Sequence, residues 1–422
     1  MARTSVLFRV GLLAAFLVLS SPAWAGEQIG GSVEELLAIV QRMNPELAAM
    51  ALEAEAAAAR AEAADKLPDP KFVLKYDEWP RAAPGYAPSL SRFGTMKYEL
   101  SQEIPLGGKR EAKREQALAE HRGAAGQQQA TALELAMRVK IVYAEYHQAL
   151  RSIKQLGVLK DVVGRLAQFS RSRYSQGLGT QLDGIQVELE RKELESELVR
   201  MTLERRQAGI RLNVLLNRPT DAPLAEAPRL RPVPAASGIN AASLVERARA
   251  ANPELQARHA KIDAADRGRD LADRSWYPDL EVGVGVVQKG SRLDSYEAMV
   301  GVNIPLQWGL REAQQREAAA MAGAARSRLV QAERQLEADL TGALASFTAA
   351  RERENILRTG VLPQAEAALQ SATKAYELGL AEFVTVLEAE RRLRNTHLDH
   401  LKIQLEQQMR LAEIERLIGG DL

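Results

Sequence analysis

Residues 95–112 read T-M-K-Y-E-L-S-Q-E-I-P-L-G-G-K-R-E-A, and a change of period inside them decides the fold. From Thr95 to Ile104 the side chains alternate. Met96, Tyr98, Leu100 and Ile104 fall on one side and Lys97, Glu99, Ser101 and Glu103 on the other, with Gln102 interrupting the apolar side. A period of two belongs to a strand. Pro105 ends it, and no proline follows from Leu106 to Arg218. The stretch from Lys109 to Tyr174 therefore predicts one helix of roughly 65 residues, on the order of 100 Å long at 1.5 Å per residue. An ordinary globular domain has no place for such a rod. It is a coiled coil or the wall of a tunnel.

The same junction occurs twice. Ile104-Pro105-Leu106 recurs as Ile304-Pro305-Leu306, and Arg110-Glu111-Ala112 as Arg311-Glu312-Ala313. Upstream, Asn44-Pro45-Glu46-Leu47 recurs as Asn252-Pro253-Glu254-Leu255; downstream, Tyr174…Gly177-Leu178 recurs as Tyr376…Gly379-Leu380. Ordered anchors at nearly one spacing mark a tandem duplication. The first copy occupies 26–218 and the second 240–422. Between them, 219–239 holds five prolines from Pro219 to Pro234 and cannot be a helix.

Each copy has one plan. A helix of moderate length comes first, over about 33–66 and again over 241–274. Two alternating segments follow, then the long Pro-free run, interrupted in the second copy only by Pro363. The rods turn at Gln176-Gly177-Leu178-Gly179 and Leu378-Gly379-Leu380. Return helices then carry apolar residues at 3/4 spacing, such as Leu182, Ile185 and Leu189, and later Leu398, Leu401 and Leu405. Each copy thus contains a long antiparallel helical hairpin.

The other alternating segments are Lys71–Asp77, Leu280–Val286 and Tyr296–Ile304. This dyad pattern suits strands with one face to lipid and the other to water, although one such pair alone would equally fit a half-buried sheet. Four strands are too few to close a barrel, and an open edge in lipid leaves backbone groups unsatisfied. Rotational symmetry between copies of the chain solves this. The loops Glu78–Gly94 and Gln288–Ser295 would then face the exterior.

Composition agrees with a helical, exported chain. Aromatics are 5% and charged residues 26%, a mixture found in long helices. A net charge of +1 gives no field to recruit nucleic acid. Residues 1–25 read as a cleaved signal peptide: Arg3 and Arg9, the apolar Val10–Leu19, then Ala23-Trp24-Ala25. The apolar run is short for a membrane anchor. The absence of cysteine removes disulfides and thiolate metal sites.

These anchors together resemble the TolC-type outer-membrane factors. The resemblance spans the whole mature chain: duplicated N-P-E-L helix starts, an I-P-L strand end before each long helix, and a Gly-Leu hairpin tip in each copy. Leu67-Pro68-Asp69-Pro70 and Ser101–Arg110 are similar to the CzcC/CusC-like heavy-metal branch. The resemblance implies a mainly α fold with a small membrane β-barrel portion. Three subunits would give twelve strands in the outer membrane, and their duplicated hairpins an α-barrel tunnel across the periplasm. It further implies a homotrimer docked to a periplasmic adaptor and an inner-membrane resistance–nodulation–division pump, exporting heavy-metal cations. Drugs or small organic toxins are the alternative cargo. A periplasmic adaptor or coiled-coil scaffold is the alternative class, but adaptors usually present one hairpin flanked by compact β domains. The chain departs from relatives that carry a lipidated N-terminal cysteine.

No residues assemble into a catalytic or cofactor site. Gly107-Gly108-Lys109-Arg110 lacks the P-loop's first glycine, where Glu103 stands, and its hydroxyl, where Arg110 stands. His397 and His400 share a helix face but find no third ligand. By resemblance, the hairpin tips are the candidate gate or adaptor-docking site: Gly177, Leu178, Gly179 and Asp183 in the first copy, Gly379, Leu380, Glu382 and Glu388 in the second. Symmetry would turn each acid into a ring able to attract cations. Thr180–Asp183 also reads as a capping box. Relatives often carry a basic residue just after the second-copy glycine, where this chain has Ala381 and Glu382.

Overall fold

The computed structural model describes residues 29–77, 94–225, 230–234 and 240–422. The signal peptide expected over 1–25, most of the Glu78–Gly94 loop and part of the Pro-rich segment lie outside these residues. The elements run α1 (Val33–Met43), α2 (Pro45–Ala63), β1 (Lys71–Asp77), β2 (Thr95–Pro105), α3 (Lys109–Ser175) and α4 (Gln181–Leu215). The plan then repeats as α5 (Ala241–Ala251), α6 (Pro253–Asp273), β3 (Asp279–Lys289), β4 (Arg292–Asn303), α7 (Trp308–Ile356), α8 (Leu362–Glu377) and α9 (Phe383–Ile418). Among the described residues, no helix is long and apolar enough to cross a membrane.

The single helices expected over 33–66 and 241–274 each divide in two, at Asn44 and Asn252. Both asparagines are extended, which a following proline favours, and Pro45 and Pro253 occupy the first helical position. Asn44 Oδ1 accepts from the Glu46 and Leu47 amides, and Asn252 Oδ1 from Glu254 and Leu255. Their side-chain amides reach further. Asn44 Nδ2 donates to the Leu215 carbonyl at the end of α4, and Asn252 Nδ2 to Leu417 near the end of α9. Thus α4 is joined to α2, and α9 to α6, as quasi-continuous partners of the long rods α3 and α7.

Helix α3 is unbroken over 67 residues. In the second copy Pro363 denies the preceding turn an N–H and crowds its carbonyls. The chain accommodates this with a π-turn at Leu357–Val361 that links α7 to α8.

The strands form one antiparallel sheet in the order β1-β2-β3-β4. Its central pairing, β2 with β3, joins the two copies. One face carries the rows Phe72–Leu100–Val284–Ala298 and Leu74–Tyr98–Val286–Tyr296. Phe72, Leu74, Leu100, Val284 and Tyr296 on this face are exposed. The opposite face is polar: Lys75 pairs with Glu99 at 3.0 Å, Lys97 with Glu297 at 3.4 Å, and Ser101 donates to Glu281 at 2.9 Å. Gly107 and Gly108 turn the chain from β2 into α3 with φ of 70° and 71°. Only glycine adopts this conformation at no steric cost. A side chain at Gly107 would also collide with Tyr277.

Among the described residues, three apolar clusters hold the rods together. One joins α3, α4, α8 and α9 through Leu156, Leu194, Phe383 and Val386 toward the tips. The other two centre on α1 with α3 and α4, and on α5 with α7 and α9. A buried ion network crosses the middle: Lys140 on α3 meets Glu415 on α9 at 2.8 Å, and Arg231 from the inter-copy segment meets Glu415 at 2.9 Å. Such a network adds little net stability but is costly to break at one partner.

Candidate functional site

Each hairpin tip is built by the same device. Helix α3 ends with Gly177 at φ 72°; the Gly177 amide donates to the Tyr174 carbonyl and the Leu178 amide to Arg173. Helix α8 ends with Gly379 at φ 73°; its amide donates to Tyr376 and the Leu380 amide to Ala375. These are paired Schellman closures, in which a left-handed glycine satisfies the last free carbonyls. The apolar residue after each glycine is not folded back onto its helix. Leu178 and Leu380 are exposed.

The return helix α4 begins with the capping box. The Asp183 amide donates to Thr180 Oγ1 at 3.2 Å, and the Thr180 amide donates to Asp183 Oδ2 at 3.3 Å. The Asp183 carboxylate also receives the Tyr376 hydroxyl, 3.5 Å away on the other hairpin. Burial and the nearby Asp183 charge push the Tyr376 phenol up from its ordinary value, so it stays a donor.

Arg173 completes this bridge. It donates to the Tyr376 carbonyl and, at 3.2 Å, to the Leu178 carbonyl, and its guanidinium lies 4.9 Å from the centroid of the Tyr376 ring. Tyr376 itself is 4% exposed and packs edge-on against Phe169 and tilted against Phe383. Its counterpart in the first copy, Tyr174, is 56% exposed. The duplicated tyrosines have diverged: one anchors the tip, the other lines a groove of 620 Å³ between α3 and α4 with Ile185 and Leu189.

The structure thus brings Gly177, Leu178, Asp183 and Gly379 together around Arg173 and Tyr376. Gly179 is close-packed against Arg173 and Tyr174. Glu382 is the N-cap of α9 but makes no side-chain capping bond. Glu388, one turn and a half further on, is exposed. Sequence reasoning overlooked Arg173, although it stands beside the Tyr174 anchor. His400 contacts Glu354 at 3.1 Å and Gln404 at 3.3 Å, and burial lowers the His397 pKa. Among the described residues, no group of three or more His, Cys, Asp or Glu could hold a metal ion.

Residues 36–218 and 244–420 match the outer membrane efflux protein family. The chain belongs to that family. Its members are outer-membrane channel subunits, which accounts for an apolar sheet face combined with rods too polar for lipid. A curated relative, the cobalt-zinc-cadmium resistance protein CzcC of Cupriavidus metallidurans, is 25% identical over 333 residues, covering 77% of each chain. Among solved structures, the outer-membrane channel OprN superimposes with a TM-score of 0.81 at 19% identity, over 92% of this chain and 90% of that one. The CusC channel superimposes with a TM-score of 0.79 at 17% identity, over 92% of both. The helical hairpins and small antiparallel sheet are therefore this family's channel fold.

Proposed function

We propose that the chain is the non-enzymatic outer-membrane duct of a tripartite efflux system and that its cargo is heavy-metal cations. The observation that carries the duct is the sheet: an apolar exposed face, a charged opposite face, and outer strands β1 and β4 that, among the described residues, each pair on one side only. In lipid those edges need partners. Three copies of this four-stranded sheet, each β4 beside the next β1, give twelve strands and leave no edge. The helices support the same assembly. Within one chain, rod α3 packs against the second copy's return helix α9. The first copy's α4 instead exposes Leu182, Ile185, Leu189, Val199, Leu203 and Ile210. This heptad stripe suits knobs-into-holes packing by the rod of a second subunit.

Gly177, Leu178, Gly179, Asp183, Gly379, Leu380, Glu382 and Glu388 lie at the end opposite the sheet, where they form the periplasmic mouth. There they meet a periplasmic adaptor linked to a proton-driven inner-membrane pump of the resistance–nodulation–division class. The pump supplies the energy, because the duct only has to let cargo enter and leave. The cargo reading rests on the similarity to a relative named for cobalt, zinc and cadmium resistance.

The test is growth of a strain lacking the gene, with and without complementation, on cobalt, zinc, cadmium, nickel, copper and silver salts beside drugs and detergents. Selective metal sensitivity supports the reading. Sensitivity to drugs or detergents alone discards the metal cargo and keeps the duct.

A further inference from the structure

Glu190 on α4 and Glu390 on α9 are both 0% exposed and meet where the return helices of the two copies touch. Glu190 is matched. Its Oε2 accepts from Arg391 Nε at 2.5 Å, and its Oε1 accepts from Arg394. Glu390 is not. Among the described residues, neither of its oxygens meets a hydrogen-bond donor, and the Arg394 guanidinium stays 3.9 Å away, engaged by Glu190. A buried carboxylate without donors is costly. One proton removes the cost, because a neutral Glu390 carboxyl can donate to the Glu190 carboxylate beside it.

We infer that Glu390 holds a proton facing Glu190 across the α4–α9 contact, and that losing this proton loosens the contact and the hairpin tips beside it. Glu190 follows Asp183 by two turns of α4. The contact therefore lies directly behind the bridge formed by Arg173, Asp183 and Tyr376.

The surroundings leave this proton under the control of pH. Burial pushes the Glu390 carboxyl up to about 7; Arg394 opposes this, Glu190 adds to it, and Arg391 opposes it weakly. From α9, Arg391 divides its charge between Glu190 and Glu193. On α3, Lys160 is held by Glu195 of α4. On α8, the charge of Glu366 acts on His397. The remaining packing from α3 and α8 is the apolar cluster of Val163, Leu166, Leu369 and Ala372.

Amide hydrogen exchange of the full-length protein in detergent, at pH 5, 6, 7 and 8 and corrected for intrinsic rates, tests this. Peptides spanning 187–194 and 387–398 report the contact. Linkage predicts that their opening constant rises about tenfold per pH unit from 5 to 7 and then levels off. In Glu390→Gln the side chain cannot ionise and still donates to Glu190, so these peptides stay at the protected level throughout. A flat wild-type profile, or an unchanged rise in Glu390→Gln, overturns the proposal. The wild-type profile decides even if the variant folds poorly.

Discussion

Asn252 donates its side-chain amide to the carbonyl oxygen of Leu417 at 2.9 Å, across 165 residues of chain. The same side chain caps α6, so one asparagine closes the start of one helix and the end of another. Asn44 repeats this with Leu215. The N-P-E-L repeat is thus a splice between helices that are remote in sequence, which explains why both copies keep it.

Asn252→Ala should cost about 2 kcal/mol of stability, roughly 1 for the lost cap and about 1 for a buried carbonyl left unpaired. Asn252→Asp keeps the cap but sets an acceptor against the Leu417 carbonyl, so it should not recover stability. Denaturant unfolding of the detergent-solubilised protein measures both. A loss below about 0.5 kcal/mol for the alanine variant would remove the splice from the account.

The bridge between hairpins gives a functional prediction. Tyr376→Phe keeps the ring in its cluster with Phe169 and Phe383 but removes the hydroxyl that Asp183 accepts. The expected stability loss is small, about 1 kcal/mol, while single-channel conductance in planar bilayers rises as the tip relaxes. Arg173→Ala, which also frees the Tyr376 and Leu178 carbonyls, should raise it further. Unchanged conductance in both variants would separate this bridge from the mouth.

The sheet faces should respond in opposite ways. Val284 lies on a central strand with its side chain on the exposed apolar face. Val284→Lys should cost about 2–4 kcal/mol if it sits near the bilayer midplane, visible as loss of the heat-modifiable trimer band. Glu99→Gln changes the charged face, where Lys75 is its partner, and should leave assembly intact while altering ion selectivity. Equal tolerance of both changes would contradict the assignment of faces.

Much of this architecture was legible because its signals are local. Prolines bound the rods, the alternation at Thr95–Ile104 marks β2, and the left-handed glycines mark both tips. The division at Asn44 is also written locally, in the proline that follows it, although one helix was expected over 33–66. What could not be read depends on which helices meet. The run Glu188–Glu197 looks like a solvated helix face, but Glu190 is fully buried because α9 of the other copy covers it. The β2–β3 register likewise pairs Ser101 with Gly283, far apart in sequence. Tyr174 and Tyr376 occupy equivalent positions, and only packing distinguishes the exposed one from the buried one.

Acid should weaken the fold at His147. This residue lies 6% exposed on α3, with Arg151 Nε 3.4 Å from its Nε2. Burial first, and then the Arg151 charge, lower its pKa from 6.5 to about 4. The unfolded chain therefore binds a proton between these values while the folded chain does not. The His147 contribution to stability is complete above pH 6.5 and is lost as pH falls toward 4, by about 3 kcal/mol in all. Glu390 acts in the opposite sense over an overlapping range, because its folded pKa is raised and protonation there favours the folded state. The two are separable by substitution. His147→Gln should remove the acid-sensitive part of the unfolding free energy between pH 7 and 4.5 without touching exchange at 387–398. Thermal unfolding of wild type and variant across that range makes the comparison. Parallel curves would show that His147 is not the group that titrates.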